Sequence, residues 1–174
     1  QYRRINTSNL NNRPEQTRTV VMEKDYYVVE LYPDQKRNLH TYLDEQDLFG
    51  EKVIYLERDD RTAATEADYV MVEFFLEWSP VMVNQDVYVM GAITDWNLNE
   101  KNKMTYDYER KGYALNLLLK QGYYDYIYAV KDTDAKAADV GVVAGDFWET
   151  VNEYTIYLYL FDQINNYDQL IGVK

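Results

Sequence analysis

Apolar residues recur at every second position along two segments of the chain, and this pattern constrains the fold more than any other feature. The first segment, 69–78, places apolar side chains on one face of an extended strand: Val70, Val72, Phe74, Leu76 and Trp78. A period of two residues is typical of a β-strand that buries one face. The second segment places Tyr124, Tyr126, Tyr128 and Val130 on a common face, where we expect them to form core.

Composition agrees with a β protein, because the chain has 19 tyrosines but only 7 glycines and 3 prolines, and aromatic residues favour sheets. Turn residues at Arg110 to Gly112 and at Gln121-Gly122 predict hairpins. We therefore predict an all-β fold, an immunoglobulin-like β-sandwich preceded by a smaller β-rich segment. The other predicted strands are 86–93, 104–108, 113–119, 154–161 and 167–173.

The first third of the chain has shorter apolar runs. Segments 19–23 and 26–32 flank Lys24-Asp25, which predicts a tight hairpin whose second strand is ended by Pro33. A third short strand is predicted at 52–57, followed by a charged connector. We expect residues 1–62 to be the end of an upstream domain and residues 63–174 to form the sandwich.

Charge and cysteine content narrow the classes of partner. The net charge is −12 and there is no basic run that would neutralise phosphates, so we expect no nucleic-acid partner. No stretch approaches the ~18 consecutive apolar residues that suggest a membrane span. The chain has no cysteine, which excludes disulfides and thiolate metal sites within it.

Residues suited to catalysis are sparse. His40 is the only histidine, so a multi-histidine zinc site within this chain is excluded. The acidic pairs Asp59-Asp60 and Asp132-x-Asp134 lack the spacing of a known calcium loop, and we interpret them as solvated turns. With no phosphate-binding loop or nucleophile elbow, we predict a protein that is not an enzyme and uses no cofactor or metal.

Several residues, most of them aromatic, are candidate contacts. Trp96 follows a turn, where an indole either offers a platform for a ligand or packs over the end of the sheet, and Asp95 lies beside it. Phe147 and Trp148 lie in the longest predicted loop, 132–152, and loops placed by a rigid scaffold often carry recognition. The faces opposite the predicted core carry four further candidates: Tyr123, Ile127, Tyr157 and Tyr159.

The order and spacing of several segments resemble the C-terminal region of the type IX secretion system plug-protein family. They are Asp86 to Trp96, Asn102 to Tyr106, Leu117 to Tyr126, Thr150 to Ile156 and Tyr167 to Gly172, with Tyr2 to Asn6 and Asp44 to Gly50 upstream. The resemblance implies a non-catalytic periplasmic protein, associated with the outer membrane, that closes a large translocon by steric occlusion. It also implies that the family's N-terminal half lies outside this chain.

The same strands have a more distant resemblance to glycogen- and starch-binding modules, which share the Gly91 to Trp96 turn and the Gly122 to Tyr126 strand. This resemblance implies that the immunoglobulin-like sandwich is of the early-set type. In those modules the residue matching Trp96 stacks on a sugar, and a lysine follows the tyrosine strand. Here Ile127 stands at the lysine position and Asp95 replaces the asparagine before the tryptophan. A carbohydrate-binding module, or an accessory domain of a glycan-processing system, is therefore the alternative to a protein-binding sandwich.

Overall fold

A computed structural model describes residues 2–11, 13–14, 16–37, 48–57, 67–146 and 154–174. These residues form β-strands, one short α-helix, α1 (Gly141–Ala144), and a 3-10 turn at Ala92–Thr94. The strands are β1 (Arg3–Asn6), β2 (Thr17–Met22), β3 (Tyr27–Leu31), β4 (Lys52–Ile54), β5 (Tyr69–Glu77), β6 (Gln85–Met90), β7 (Thr105–Asp107), β8 (Gly112–Lys120), β9 (Gly122–Asp132), β10 (Tyr157–Asp162) and β11 (Tyr167–Val173).

One layer is a five-stranded sheet in the order β2-β3-β5-β8-β7. Adjacent strands in this sheet are antiparallel, except that β3 and β5 run parallel to each other. The hairpin predicted around Lys24-Asp25 is confirmed, since Met22 pairs with Tyr27. The hairpin at Arg110 to Gly112 is confirmed as well, and Lys111 takes a left-handed backbone conformation there (φ 54°).

The second layer is organised around β9, which spans 11 residues. Strands β1 and β4 pair with the first half of β9 on opposite sides, and β6 pairs with its second half. Nearly every residue of β9 is buried, including those that face away from the other sheet. This strand is therefore the centre of the fold, and the 3-10 turn and α1 contact it as well.

The core lies between the two sheets, as the alternation predicts. Val70, Val72, Phe74 and Leu76 of β5 are buried together with Tyr124, Tyr126, Tyr128 and Val130 of β9. The ring of Phe74 meets that of Tyr126 edge to face, with centroids 5.1 Å apart, an arrangement that aromatic pairs prefer. The prediction of an all-β sandwich is confirmed.

A buried ionic network also joins the two sheets. Arg3 of β1 donates from Nη1 to Oδ1 of Asp34 at 2.7 Å, just after β3. The hydroxyls of Tyr126 and Tyr128 donate to Oδ2 of the same carboxylate at 2.6 and 2.7 Å. Burial raises the pKa of both tyrosines well above its ordinary value, and the nearby Asp34 charge acts in the same direction. Asp34 therefore accepts from three donors that reach it from the second sheet.

Each of the two sheets contains strands from both sides of the domain boundary predicted at residue 62. Strands β1 and β4 pair with β9, while β2 and β3 belong to the sheet of β5 and β8. The physical reason is that strands of three to six residues cannot bury a face by themselves and need a second layer. Residues 3–54 thus contribute strands to the sandwich that we assigned to residues 63–174.

The predicted hairpin at Gln121-Gly122 is wrong. Strand β8 lies in the five-stranded sheet and β9 in the other, so the chain changes layers at this corner. Gly122 is packed against the backbone of Val53, and Oγ1 of Thr7 accepts its N–H at 3.0 Å. A Gln-Gly pair is compatible with either geometry, and only the pairing partners separate them.

Strands β10 and β11 form a separate two-stranded hairpin. Both agree with predicted strands, and β11 has the predicted bounds. Unlike the sandwich strands, nearly all of their residues are exposed. Among the described residues, no helix has the length and apolar character needed to cross a membrane.

Candidate functional site

An exposed aromatic cluster lies at the end of the sandwich where β6 leads into the 3-10 turn. We call it the Trp96 site and define it by Tyr2, Phe49, Lys52, Asp95 and Trp96. The rings of Tyr2 and Trp96 meet edge to face, with centroids 6.1 Å apart. Trp96 is 43% exposed and Phe49 is 48% exposed. Phe49 directly precedes Gly50, which lies against the indole of Trp96, so exposed aromatic residues from two distant segments lie near this turn.

Three of the six described non-glycine residues with positive φ belong to this site. Phe49, Asp95 and Trp96 have φ values of 53°, 51° and 57°, in the left-handed region. This conformation costs an L-residue about 1–2 kcal/mol, and it is a genuine outlier for a bulky side chain. Strained residues of this kind cluster at functional sites when the surrounding structure holds them in place.

Two glycines allow the cluster to pack closely. Gly50 (φ 82°) lies against the indole, and a Cβ there would be 2.5 Å from Cη2 of Trp96. Gly91 (φ 143°) passes the backbone of β9, and a Cβ there would be 2.9 Å from the carbonyl oxygen of Asp125. Ala92 donates its N–H to the carbonyl of Gly50 at 2.8 Å. The two turns are therefore held directly against each other.

A buried carboxylate supports this arrangement from beneath. Asp125 of β9 is 0% exposed and accepts hydrogen bonds from the backbone N–H of Leu48 and from Nε of Arg4, the latter at 3.2 Å. Burial raises the pKa of Asp125 above its ordinary value, while the Leu48 N–H and Arg4 oppose that rise. Asp125 therefore positions the turn that carries Phe49 and Gly50.

The polar groups of the site are paired with each other. Nζ of Lys52 lies 3.0 Å from Oδ1 of Asp95, and both side chains are exposed. An exposed pair of this kind contributes about 0–1 kcal/mol to folding. Its two members can therefore exchange partners at low cost, which suits a surface that binds another molecule.

The other predicted contact residues have different environments. Tyr123 is half-buried, and its ring lies against that of Tyr55 at a tilt of 38°, with centroids 5.5 Å apart. Ile127 is only 6% exposed, so its prediction as a surface contact is wrong. Ile127 pairs with Met90 of β6, and the 3-10 turn after β6 contacts β9. Tyr157 and Tyr159 are exposed on the β10–β11 hairpin.

Phe147, Trp148, His40 and the Asp59-Asp60 pair lie outside the described residues. The predicted loop from residue 132 contains α1, and its Asp132 and Asp134 are exposed. Across the described ranges, no group of three or more His, Asp or Glu side chains is arranged to hold a metal ion.

The sequence reasoning missed three residues of the Trp96 site, Tyr2, Phe49 and Lys52, and the buried Asp125 that supports it. Asp125 had a readable signal, because it is the only charge within the apolar strand segment 123–130, and a charge there needs a buried partner. The other three come from distant segments, and no local pattern connects them to Trp96.

Comparisons with known proteins find a solved structure with the same fold, but they assign no function to this chain. No family model matches the chain, and no curated protein matches it. A crystal structure described as that of a hypothetical protein from Parabacteroides merdae ATCC 43184 is 36% identical, with a TM-score of 0.91. The match covers 99% of this chain and 43% of that one, so this chain spans less than half the length of its relative.

Proposed function

We propose that this chain belongs to a non-catalytic periplasmic protein that binds a protein partner through the Trp96 site. The observation that carries the proposal is the coincidence of exposure and strain at Phe49, Asp95 and Trp96. If these positions served only to end a strand, glycine could occupy them without backbone strain. Keeping large aromatic side chains there suits a surface selected for contact.

The chemistry of the site favours a protein partner. Tryptophan and tyrosine dominate the energetics of protein interfaces because each buries a large area and also carries a polar group. The rings of Tyr2 and Trp96 are nearly perpendicular, at 83°, so they do not form one flat platform. Protein side chains can fill the angle between such rings.

The partner we propose is the outer-membrane translocon of the type IX secretion system. The segment order that resembles the plug family includes Asp86 to Trp96, the segment that ends at this site. Closing a channel by occlusion requires a rigid body and a docking surface but no reactive group. The sandwich supplies the first and the Trp96 site the second.

A pull-down from native membranes tests this proposal. The tagged full-length protein should recover a large outer-membrane channel, and Trp96→Ala should reduce the recovery by about tenfold or more, the loss expected for an interface hot spot. Tyr108→Ala is the matched control, because Tyr108 is 76% exposed and lies in the turn after β7. Equal recovery with Trp96→Ala, or no channel with the wild-type protein, would overturn the proposal.

Glycan binding is the second candidate function, favoured by an exposed indole with a Lys52–Asp95 pair beside it. Sugar sites combine an aromatic ring with polar groups directed at hydroxyls. The same variants distinguish this function, because glucan titration should change the tryptophan fluorescence of the wild-type chain and of Tyr108→Ala but not of Trp96→Ala. A flat titration across a broad glycan panel would remove this candidate.

A further inference from the structure

The β10–β11 hairpin exposes more apolar surface than a folded chain normally leaves in water. Its large hydrophobic side chains between Tyr154 and Val173 are 47% to 93% exposed. Soluble monomers rarely expose large contiguous apolar patches, and those that exist mark interaction surfaces. The hairpin therefore needs a cover.

Both faces of the hairpin carry large apolar side chains. The register places one set of side chains on a common face: Tyr157, Tyr159, Phe161, Leu170 and Val173. The opposite face carries Leu158, Leu160 and Tyr167. A strand pair that lay on a single surface would need only one such face. The cover must therefore contact both sides of the hairpin.

Stability leads to the same conclusion. A two-stranded hairpin is marginal in water unless further strands or a packed layer support it. Strand β10 also has little to protect its edge, since Tyr157 to Phe161 includes no charge, proline or glycine. A charge comes only at its last residue, Asp162, and a single register shift after Leu158 interrupts its pairing with β11. In the sandwich, by contrast, strands of similar composition are buried by a second layer.

The comparison with the longer relative points to what covers the hairpin. The Parabacteroides chain matches this one over nearly its whole length, yet more than half of that chain lies outside the match. A further part of the same polypeptide covers a hairpin without the entropy cost of association. A second copy is less suited, because each chain carries a net charge of −12 and like charges repel.

We propose that both apolar faces of the β10–β11 hairpin are packed against another part of the same polypeptide, the counterpart of the region of the Parabacteroides chain outside the match. The hairpin then serves as the element that joins the sandwich to a companion domain. This inference does not depend on the function of the Trp96 site, which lies elsewhere on the chain.

Thiol labelling tests the proposal, because the chain has no cysteine of its own. Leu158→Cys probes the hairpin, and Tyr108→Cys is the matched control on the sandwich, with both positions more than half exposed. Each variant is made in the 174-residue chain and in the full-length polypeptide that its gene encodes, and the labelled peptide is identified by mass spectrometry. We expect the thiol of Leu158→Cys to react at least tenfold more slowly in the full-length protein, and that of Tyr108→Cys to react equally in both.

Other outcomes identify a different cover and overturn the proposal. Equal labelling of Leu158→Cys in both proteins would show that no other part of the polypeptide covers the hairpin. A gene that encodes only these 174 residues would also overturn the proposal. Protection that disappears on dilution would indicate a second copy, and protection that appears only when membrane extract is added would indicate a separate partner. Hydrogen exchange of the unmodified proteins gives the same comparison without a substitution, with slower exchange expected in β10 and β11 of the full-length protein.

Discussion

The sandwich and the hairpin are built from similar residues but have opposite environments. Strand β9 carries Tyr124, Tyr126 and Tyr128, all buried, whereas β10 carries Tyr157 and Tyr159, both more than half exposed. The two strands share an alternation of tyrosines, so the difference does not come from local sequence. It comes from the second layer, which β9 has and β10 lacks within the described residues.

The largest expected difference concerns the ionic network of the sandwich. Asp34→Ala should lower the free energy of unfolding by about 3–5 kcal/mol, because it leaves Arg3 as an uncompensated buried charge and removes the acceptor of two tyrosine hydroxyls. Asp168→Ala in the exposed hairpin should change it by about 0.5 kcal/mol or less. Urea unfolding measures both, and a small loss for Asp34→Ala would contradict the importance of the network.

Leucine truncations give the next largest contrast. Leu76→Ala in β5 should cost about 2–5 kcal/mol, since Leu76 is fully buried and its loss leaves a cavity. Leu160→Ala in β10 should cost about 0.5 kcal/mol or less in the 174-residue chain. In the full-length protein the cost at Leu160 should rise if the hairpin is covered there. An equal cost at the two leucines in the short chain would contradict the exposed state of the hairpin.

The smallest contrast is in pH dependence, where the two regions should have opposite signs. Burial raises the pKa of Asp125 above 3.8, so its proton stabilises the folded state at low pH, and this contribution is lost as pH rises through the raised value. The side chain and backbone N–H of Asn165 lower the pKa of Asp162 in the hairpin. The contribution of ionised Asp162 to the free energy of unfolding is therefore present at pH values above the ordinary aspartate pKa. It is lost as the pH falls through the lowered pKa.

Asp125→Asn and Asp162→Asn measure these two contributions by difference from the wild type. Unfolding in urea across a series from about pH 7 to about pH 3 should show the wild-type advantage over Asp125→Asn growing as the solution becomes more acidic. The advantage over Asp162→Asn should shrink over the same series. The same sign for both pairs would contradict the assignment of Asp125 as a buried carboxylate.

The sequence predicted the local features well and the long-range ones poorly. The alternation in 69–78 and 123–130 identified β5, β9 and the core between them, because burial of one face of a strand requires an apolar side chain at every second residue. The corner at Gln121-Gly122 and the pairing of β1 with β9 produce no such alternation. Both features depend on the pairing of strands that are distant in sequence, and no local pattern specifies that pairing.

The same limit applies to the Trp96 site. Trp96 and Asp95 were identified because the turn itself is recognisable, and the structure places both at the surface. Ile127 was misplaced because alternation shows which face of a strand a residue lies on, but not whether another part of the chain covers that face. Phe49 and Lys52 reach the site through the contact between Gly50 and the turn after Gly91, which no single segment encodes.

The position of β1 also bears on how fast the sandwich can fold. Arg4 of β1 and Asp125 of β9 are 121 residues apart, and the entropy of closing so long a loop must be lost before their contact forms. Sheets built from such non-local pairings fold more slowly than chains whose contacts are local. Among the described strands β1 pairs with β9 alone, so this edge of the sandwich depends entirely on a long-range pairing.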